Sequence, residues 1–297
     1  MGEESSGIKN RLLTDKILLG IDAGGTFTDF VCLRVGETVE VEVYKTLSTP
    51  AAPEQAIQAG IEAMGLSGAA ERGTLHIIHG STVATNAALE GKNAPTAYVT
   101  NYGFGDTLKL GRQTRPALYA LEFPTQSTPV PSAYCLETGG RMSAEGKILE
   151  TLTPEELQDL VVRIKDLAPE AVAINLLFSF LDDSSEVAIE KAITDSGLPV
   201  FVSRSSAVLP VYKEYERGIA TWLNASLGPV VSGYLSRLRA PMNRCSLRIM
   251  QSNGETLDAG TAAESAVRLL LSGPAGGLIA ARDCIGCDKS RSRRLRL

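Results

Sequence analysis

KILLGIDAGGTFTDFVCL, residues 16–33, decides the fold. An apolar run, Lys16–Ile21, ends in Asp22-Ala23-Gly24-Gly25-Thr26-Phe27, and a second run, Thr28–Leu33, starts at once. Short apolar runs bounded by turn residues read as strands, and Thr38–Tyr44 alternates apolar with polar residues as a half-buried strand does. With Val35–Glu37 as the second turn, the stretch predicts a three-stranded antiparallel meander whose first connection is rich in glycine.

Beyond it, helix and strand patterns alternate. Pro53–Met64 reads as helix, Leu75–Ile78 as strand, Val83–Glu90 as helix and Thr96–Val99 as strand, an order that indicates α/β. Gly111–Gly146 holds Pro116, Pro124, Pro129 and Pro131 and reads largely as loop with short extended pieces, more often a functional excursion than an accident. Thr153-Pro154-Glu155-Glu156 supplies an N-cap, proline at the first helical position and early carboxylates, so a helix runs from there to about Leu167. Ala171–Leu177 and Pro199–Ser203 are apolar strands flanking a helix at Ser184–Asp195. Lys213–Leu238 is a long helical pattern expected to be relieved near Gly228-Pro229. Ser246–Gln251 reads as a strand, and Ser265–Leu271 as a further candidate.

The 297 residues are 44% apolar and 21% charged, enough to bury a sizeable core. A formal charge of −5 gives no overall footprint for nucleic acid. The N-terminal stretch lacks the apolar core of a signal peptide, and no apolar run approaches the roughly 18 residues that suggest a span, so no membrane association and a cytoplasmic location are expected. Cys32, Cys135, Cys245, Cys284 and Cys287 are scattered and odd in number, unlike a disulfide framework.

The glycine loop carries the chemistry. Gly24 and Gly25 let backbone approach a phosphate and aim N–H groups at it, while Thr26 and Thr28 offer hydroxyl donors. Asp22, closing a buried strand, suits Mg²⁺, which keeps several waters and bridges to phosphate oxygens. The plain alternative is a tight glycine hairpin. Against it stand two carboxylates, two hydroxyls and two glycines within eight residues. The passage from strand to strand, rather than strand to helix, also separates the loop from the dinucleotide fingerprint and the GxxxxGK[ST] loop.

GIDAGGTFTDF (Gly20–Phe30) resembles the first phosphate motif of the actin, Hsp70 and sugar-kinase ATPases, in the version of the hydantoinase A, 5-oxoprolinase and acetone carboxylase family. The resemblance continues through IHGSTVATNAALE (Ile78–Glu90), VTNYGFGDTLKLGRQTRPALYAL (Val99–Leu121), KEYERGIATWLNASLGPVVSGYL (Lys213–Leu235), IMQSNG (Ile249–Gly254) and LLSGPAGG (Leu270–Gly277). It implies an actin-like (ribonuclease H-like) N-terminal lobe, with a mixed sheet that opens in an antiparallel meander. It also implies ATP and Mg²⁺ as cofactors, a small cyclic amide as substrate (hydantoin, 5-oxoproline or a related lactam), and a companion subunit of the hydantoinase B type. On that resemblance Asp22 would bind Mg²⁺, Gly24, Gly25, Thr26 and Thr28 would cradle phosphate, and Asp29 would stand behind the metal or bind its water. Arg112 and Arg115 would address substrate or phosphate. An ATP-dependent ketone carboxylase subunit is the alternative.

Other groups have readings on both sides. His79 precedes Ser81 and Thr82 at a helix start, a place for an anion or simply for caps; His79 itself is a candidate acid or base, or a structural histidine. Arg112 and Arg115 suit bidentate contact, or a solvated loop. Arg217, Thr221 and Asn224 share a helix face, read as a cleft lining rather than a solvent stripe. Ser272, Gly273, Gly276 and Gly277 form a glycine turn for nucleotide approach or close packing. Cys284 and Cys287 spell a CxxC with no second pair, a poor zinc signal.

The expected organisation is a polar tail at 1–15, an N-terminal region at 16–205, the start of a second domain at 206–289 and a basic tail at 290–297. A second glycine-rich phosphate loop, expected from the resemblance after Lys289, is absent from the sequence. A truncated, non-catalytic remnant is therefore the third function class.

Overall fold

The computed structural model describes residues 17–35, 39–114, 119 and 128–273. Two compact units share the chain: one takes 1–90, 231–263 and 268–297, the other 91–230 and 264–267. The chain leaves the first unit and returns to it.

The first unit is built on a six-stranded sheet in the order β10-β9-β4-β1-β2-β3. β1 (Ile17–Ala23), β2 (Phe27–Val35) and β3 (Val39–Leu47) form the expected antiparallel meander. β4 (Leu75–Ser81) runs parallel to β1, and β9 (Ser246–Met250) runs parallel to β4. β10 (Thr256–Asp258) closes the edge antiparallel to β9. Alternate residues Leu19, Ile21, Phe30 and Cys32 point to one buried face. Helix Pro53–Ala63 packs there, and Gly60 lets the Phe30 ring sit against its backbone.

The second unit carries the parallel sheet β6-β5-β7-β8, from β5 (Thr96–Asn101), β6 (Cys135–Thr138), β7 (Ala171–Ile174) and β8 (Phe201–Arg204). All of β5 and β7 is buried, as expected of parallel strands covered on both faces. Period two sorts their side chains: Ala97, Val99, Val172 and Ile174 pack with Leu160, Ile164, Ile189 and Ile193 of helices Pro154–Leu167 and Ser184–Asp195. Tyr98, Ala171 and Ala173 pack with Ala225 of helix Glu214–Arg239. The Thr153 hydroxyl accepts the Glu156 N–H and the Glu156 carboxylate accepts the Thr153 N–H, a complete capping box. β6 is one of the extended pieces expected within Gly111–Gly146.

Two expectations fail. Pro229 does not relieve the long helix, which runs unbroken over Glu214–Arg239. Burial of Ala225, Leu227, Val231, Tyr234 and Leu235 outweighs the roughly 3 kcal/mol that an interior proline costs. Ala266–Leu269 forms a 3-10 turn, not a strand, and Asn224 ties it down by accepting the Val267 N–H.

Candidate functional site

Three parallel strands of the first unit, β1, β4 and β9, end side by side. Asp22 is level with Gly80 and Ala23 with Ser81, while His79 is level with Ile249, so Gln251 follows two residues later. Ligands of open α/β sheets gather at such carboxyl ends.

The β1–β2 hairpin closes this edge. The Gly24 N–H donates to the Phe27 carbonyl at 3.1 Å, and a Cβ on Gly24 would lie 3.1 Å from that oxygen, so only glycine fits without displacement. Ser48, just past β3, braces the turn: its hydroxyl donates to the Gly24 carbonyl at 2.7 Å and its N–H to the Thr26 carbonyl at 2.9 Å. Thr28 is buried, with its hydroxyl 2.9 Å from that of Ser48. Gly25 and Thr26 are exposed, and a Cβ on Gly25 would meet nothing. Among the described residues the N–H groups of Gly25 and Thr26 have no acceptor. The loop therefore offers two free donors on a frame held from behind.

Asp22 and Asp29 are level with each other across β1 and β2. Partial burial raises the Asp22 pKa, and the Asp29 charge raises it further. Asp29 is held by Lys45, level with it on β3, at 2.8 and 3.2 Å. The carboxylates, both on the open face of the sheet, are short of positive charge at Asp22. A divalent cation would supply it, and Mg²⁺ is held in just this way, by one or two carboxylates with its remaining ligands from water and phosphate. Among the described residues no group of three or more His, Cys, Asp or Glu converges as a metal site, here or elsewhere, so protein ligands at Asp22 would be few and water and phosphate would supply the rest.

The β4 end is tied to this loop. The Thr82 hydroxyl donates to the Ala23 carbonyl at 3.2 Å, and the Ser81 hydroxyl accepts the Val83 N–H at 3.2 Å where helix Val83–Leu89 begins. The Ser272 hydroxyl donates to the Ser81 carbonyl at 3.1 Å, and the Leu271 N–H donates to the Thr85 hydroxyl at 3.0 Å. This brings Ser272 and Gly273 to the same strand end; Gly276 and Gly277 lie outside the described residues. His79 is wholly buried, with Nε2 2.6 Å from the Tyr234 hydroxyl. Burial pushes its pKa down to about 4, so the ring is neutral at pH 7.

Ser48, Tyr234 and Gln251 were not singled out by sequence reading. Gln251 lay within the IMQSNG block, but nothing local marks Ser48, which acts across 24 residues of chain on Gly24.

In the second unit the stripe of Arg217, Thr221 and Asn224 lines no cleft: all three are buried. Arg217 donates to the Asn175 amide oxygen at 3.0 Å, to the carbonyls of Val211 and Leu176, and to the Glu214 carboxylate at 3.0 Å. Five guanidinium N–H groups need such a set of acceptors once out of water. Asn224 donates to the Ser203 hydroxyl and the Glu264 carbonyl. Burial pushes Glu214 up to about 7, opposed by Arg217 and Asn175. Arg112 is exposed and donates to Glu216 at 2.8 Å. Arg115 and the CxxC lie outside the described residues. A cavity of about 550 Å³ opens among Tyr102, Asp106, Lys109, Cys135, Glu137 and Arg163, a size that suits a small ligand.

Among the described residues no helix is long and apolar enough to cross a membrane. Residues 18–197 match the hydantoinase/oxoprolinase N-terminal region, and residues 217–292 match hydantoinase/oxoprolinase. Caprolactamase subunit alpha of Pseudomonas jessenii is 31% identical over 269 residues, covering 86% of this chain and 38% of its own. 5-Oxoprolinase of Saccharomyces cerevisiae is 28% identical, covering 89% and 23%. The nucleotide-free structure of acetone carboxylase, of ATP-dependent acetone carboxylation, superposes with a TM-score of 0.76 at 25% identity, over 90% of this chain and 40% of that one. The chain thus spans well under half the length of these relatives. The α/β architecture with its mixed sheet, the two consecutive matches and the solved neighbour agree: the chain belongs to the hydantoinase/oxoprolinase family.

Proposed function

We propose that the chain is the ATP-binding portion of an ATP-dependent enzyme that opens a cyclic amide, with the β1–β2 hairpin as its phosphate site. One observation carries this reading: the Asp22–Asp29 pair beside a loop whose Gly25 and Thr26 N–H groups are free. The names of the relatives support it, since both caprolactamase and 5-oxoprolinase act on ring amides.

In this reading Gly25 and Thr26 cradle phosphate through free backbone N–H groups and the Thr26 hydroxyl, Gly24 lets the turn close by donating its N–H to the Phe27 carbonyl, and Thr28 holds the frame through Ser48. Asp22 would hold Mg²⁺, with Asp29 level with it on the neighbouring strand. The cation would supply positive charge beside the phosphates, and phosphoryl transfer is mostly such positioning and charge stabilisation. Ser272 and Gly273 close the nucleotide side, and Arg112 addresses substrate or phosphate. We assign His79 a positioning role, because a wholly buried neutral ring bonded to Tyr234 fixes the end of β4 instead of meeting substrate. The activity calls for a companion subunit of the hydantoinase B type and a reducing, cytoplasmic setting; the free thiols of Cys32, Cys135 and Cys245 support the latter.

The superposition with acetone carboxylase favours a second reading, ATP-dependent carboxylation of a ketone. Turnover assays with a companion subunit separate the two. Lactam- or hydantoin-dependent ATP hydrolysis supports the first, and turnover that needs both ketone and bicarbonate supports the second.

A further inference from the structure

β3 runs antiparallel to β2 as far as the pair Phe27 and Leu47, so the next residue, Ser48, comes out beside Thr26 at the tip of the β1–β2 hairpin. A serine hydroxyl carries one proton. That proton goes to the Gly24 carbonyl at 2.7 Å, so the 2.9 Å contact with Thr28 is a Thr28 O–H donated to the Ser48 oxygen. Thr28 is only 1% exposed, and its hydroxyl is committed inside the fold. The result is a directed chain from the Thr28 hydroxyl through the Ser48 hydroxyl to the Gly24 carbonyl, in which each donor polarises the next.

The last link fixes a plane. The Gly24 carbonyl and the Gly25 N–H belong to one peptide unit, and among the described residues no peptide bond is cis, so the two groups point in opposite directions. With the carbonyl turned back to Ser48, the Gly25 N–H is turned to the open side, where it has no acceptor among the described residues. Nor, among those residues, does a second donor reach the Gly24 carbonyl.

A second orientation lies within reach of this loop. Turning the peptide over rotates ψ of Gly24 and φ of Gly25 by about half a turn, which a glycine pair allows because glycine populates positive φ as readily as negative. The observed orientation does not itself require glycine at 25: its φ lies outside the left-handed region, and a Cβ there would meet nothing. The turned peptide would show the open side a carbonyl oxygen in place of an N–H, the wrong polarity for an anion.

We propose that Ser48 is the positioning residue of the hairpin's anion site. Its hydroxyl selects the peptide orientation in which the Gly25 N–H faces the phosphate; without it the loop divides between that orientation and one whose carbonyl repels the ligand. The identity of the ligand rests on the phosphate-site reading above, whereas the choice of peptide orientation does not.

Ser48→Ala and Ser48→Thr in the full chain test this by two readouts. By isothermal titration Ser48→Ala is expected to bind Mg-ATP about fivefold or more weakly than the wild type, the change that one hydrogen bond of ordinary strength controls, while Ser48→Thr, which keeps the hydroxyl, stays within about twofold. Crystal structures without nucleotide are expected to show the Gly24 carbonyl turned to Ser48 in the wild type, and a turned or mixed peptide in Ser48→Ala. A serine that only stabilised the fold would lower the urea midpoint and leave that peptide as it is. A loss in Ser48→Ala below about fivefold overturns the proposal, as does an equal loss in both variants or an unchanged single orientation in Ser48→Ala. Absence of Mg-ATP binding by the wild type removes the phosphate-site reading instead, and the crystal comparison still decides whether Ser48 sets the peptide.

Discussion

Asp22 and Asp29 stand level across the β1–β2 hairpin, and only Asp29 has a cation, Lys45 at 2.8 Å. The unequal neutralisation leaves Asp22 as the carboxyl whose pKa is raised, by burial first and Asp29 second. Asp29→Asn removes the like charge, so the Asp22 carboxyl is expected to titrate at lower pH; carbon-detected NMR of the carboxyl reads it directly. An acid with a raised folded pKa adds stability at low pH that is lost as pH rises through that pKa. Asp22→Asn is therefore expected to gain stability over the wild type at neutral pH while losing nucleotide binding.

His79 gives the opposite sign. Its folded pKa of about 4 lies below the ordinary 6.5, so the unfolded chain takes a proton that the folded chain refuses. Its contribution is complete above pH 6.5 and falls as pH drops toward 4, by about 3 kcal/mol. Urea unfolding at pH 7 and pH 4 is expected to show that much less acid loss in His79→Gln than in wild type. Equal losses would mean that His79 is already protonated in the fold.

Arg217→Lys keeps the charge but not the fork that serves Asn175, Leu176, Val211 and Glu214. Breaking such a buried set costs about 3–5 kcal/mol, and lysine is not an equivalent replacement. Denaturant midpoints are expected to fall accordingly. A loss within about 0.5 kcal/mol, as for an ordinary surface site, would place the guanidinium in water.

A Cβ on Gly228 would lie 2.3 Å from the Phe201 ring. Gly228→Ala is expected to cost about 1–3 kcal/mol through overpacking, despite alanine's better helix propensity. Thermal unfolding of the pair Gly228→Ala and Gly228→Ala/Phe201→Leu checks it: the second change should recover part of the loss.

Local chemistry made much of this fold legible. Thr153 and Glu156 write a capping box within four residues, and the helix at Ser184–Asp195 has the expected bounds. The glycine loop between two strands announced both the meander and the phosphate chemistry proposed for it. Hidden from sequence were the effects of distant partners. β4 and β9 pair across more than 160 residues, which brings Gln251 toward the site. Ser48 reaches back to Gly24, and the helix face of Arg217, Thr221 and Asn224 became interior because Asn175, Ser203 and Glu264 supply its partners. Pro229 stays helical for the same reason: burial around it is set by the whole fold.

Asp22 and its hairpin are proposed to hold Mg-ATP. Isothermal titration of ATP into this chain, with Mg²⁺ and with chelator, tests it most directly when repeated on Asp22→Ala. Saturable, Mg²⁺-dependent binding at one site is expected in the wild type and is expected to be lost in the variant, with both proteins equally folded by circular dichroism. Binding of equal strength in Asp22→Ala, or no Mg²⁺-dependent binding by the wild type, would contradict it.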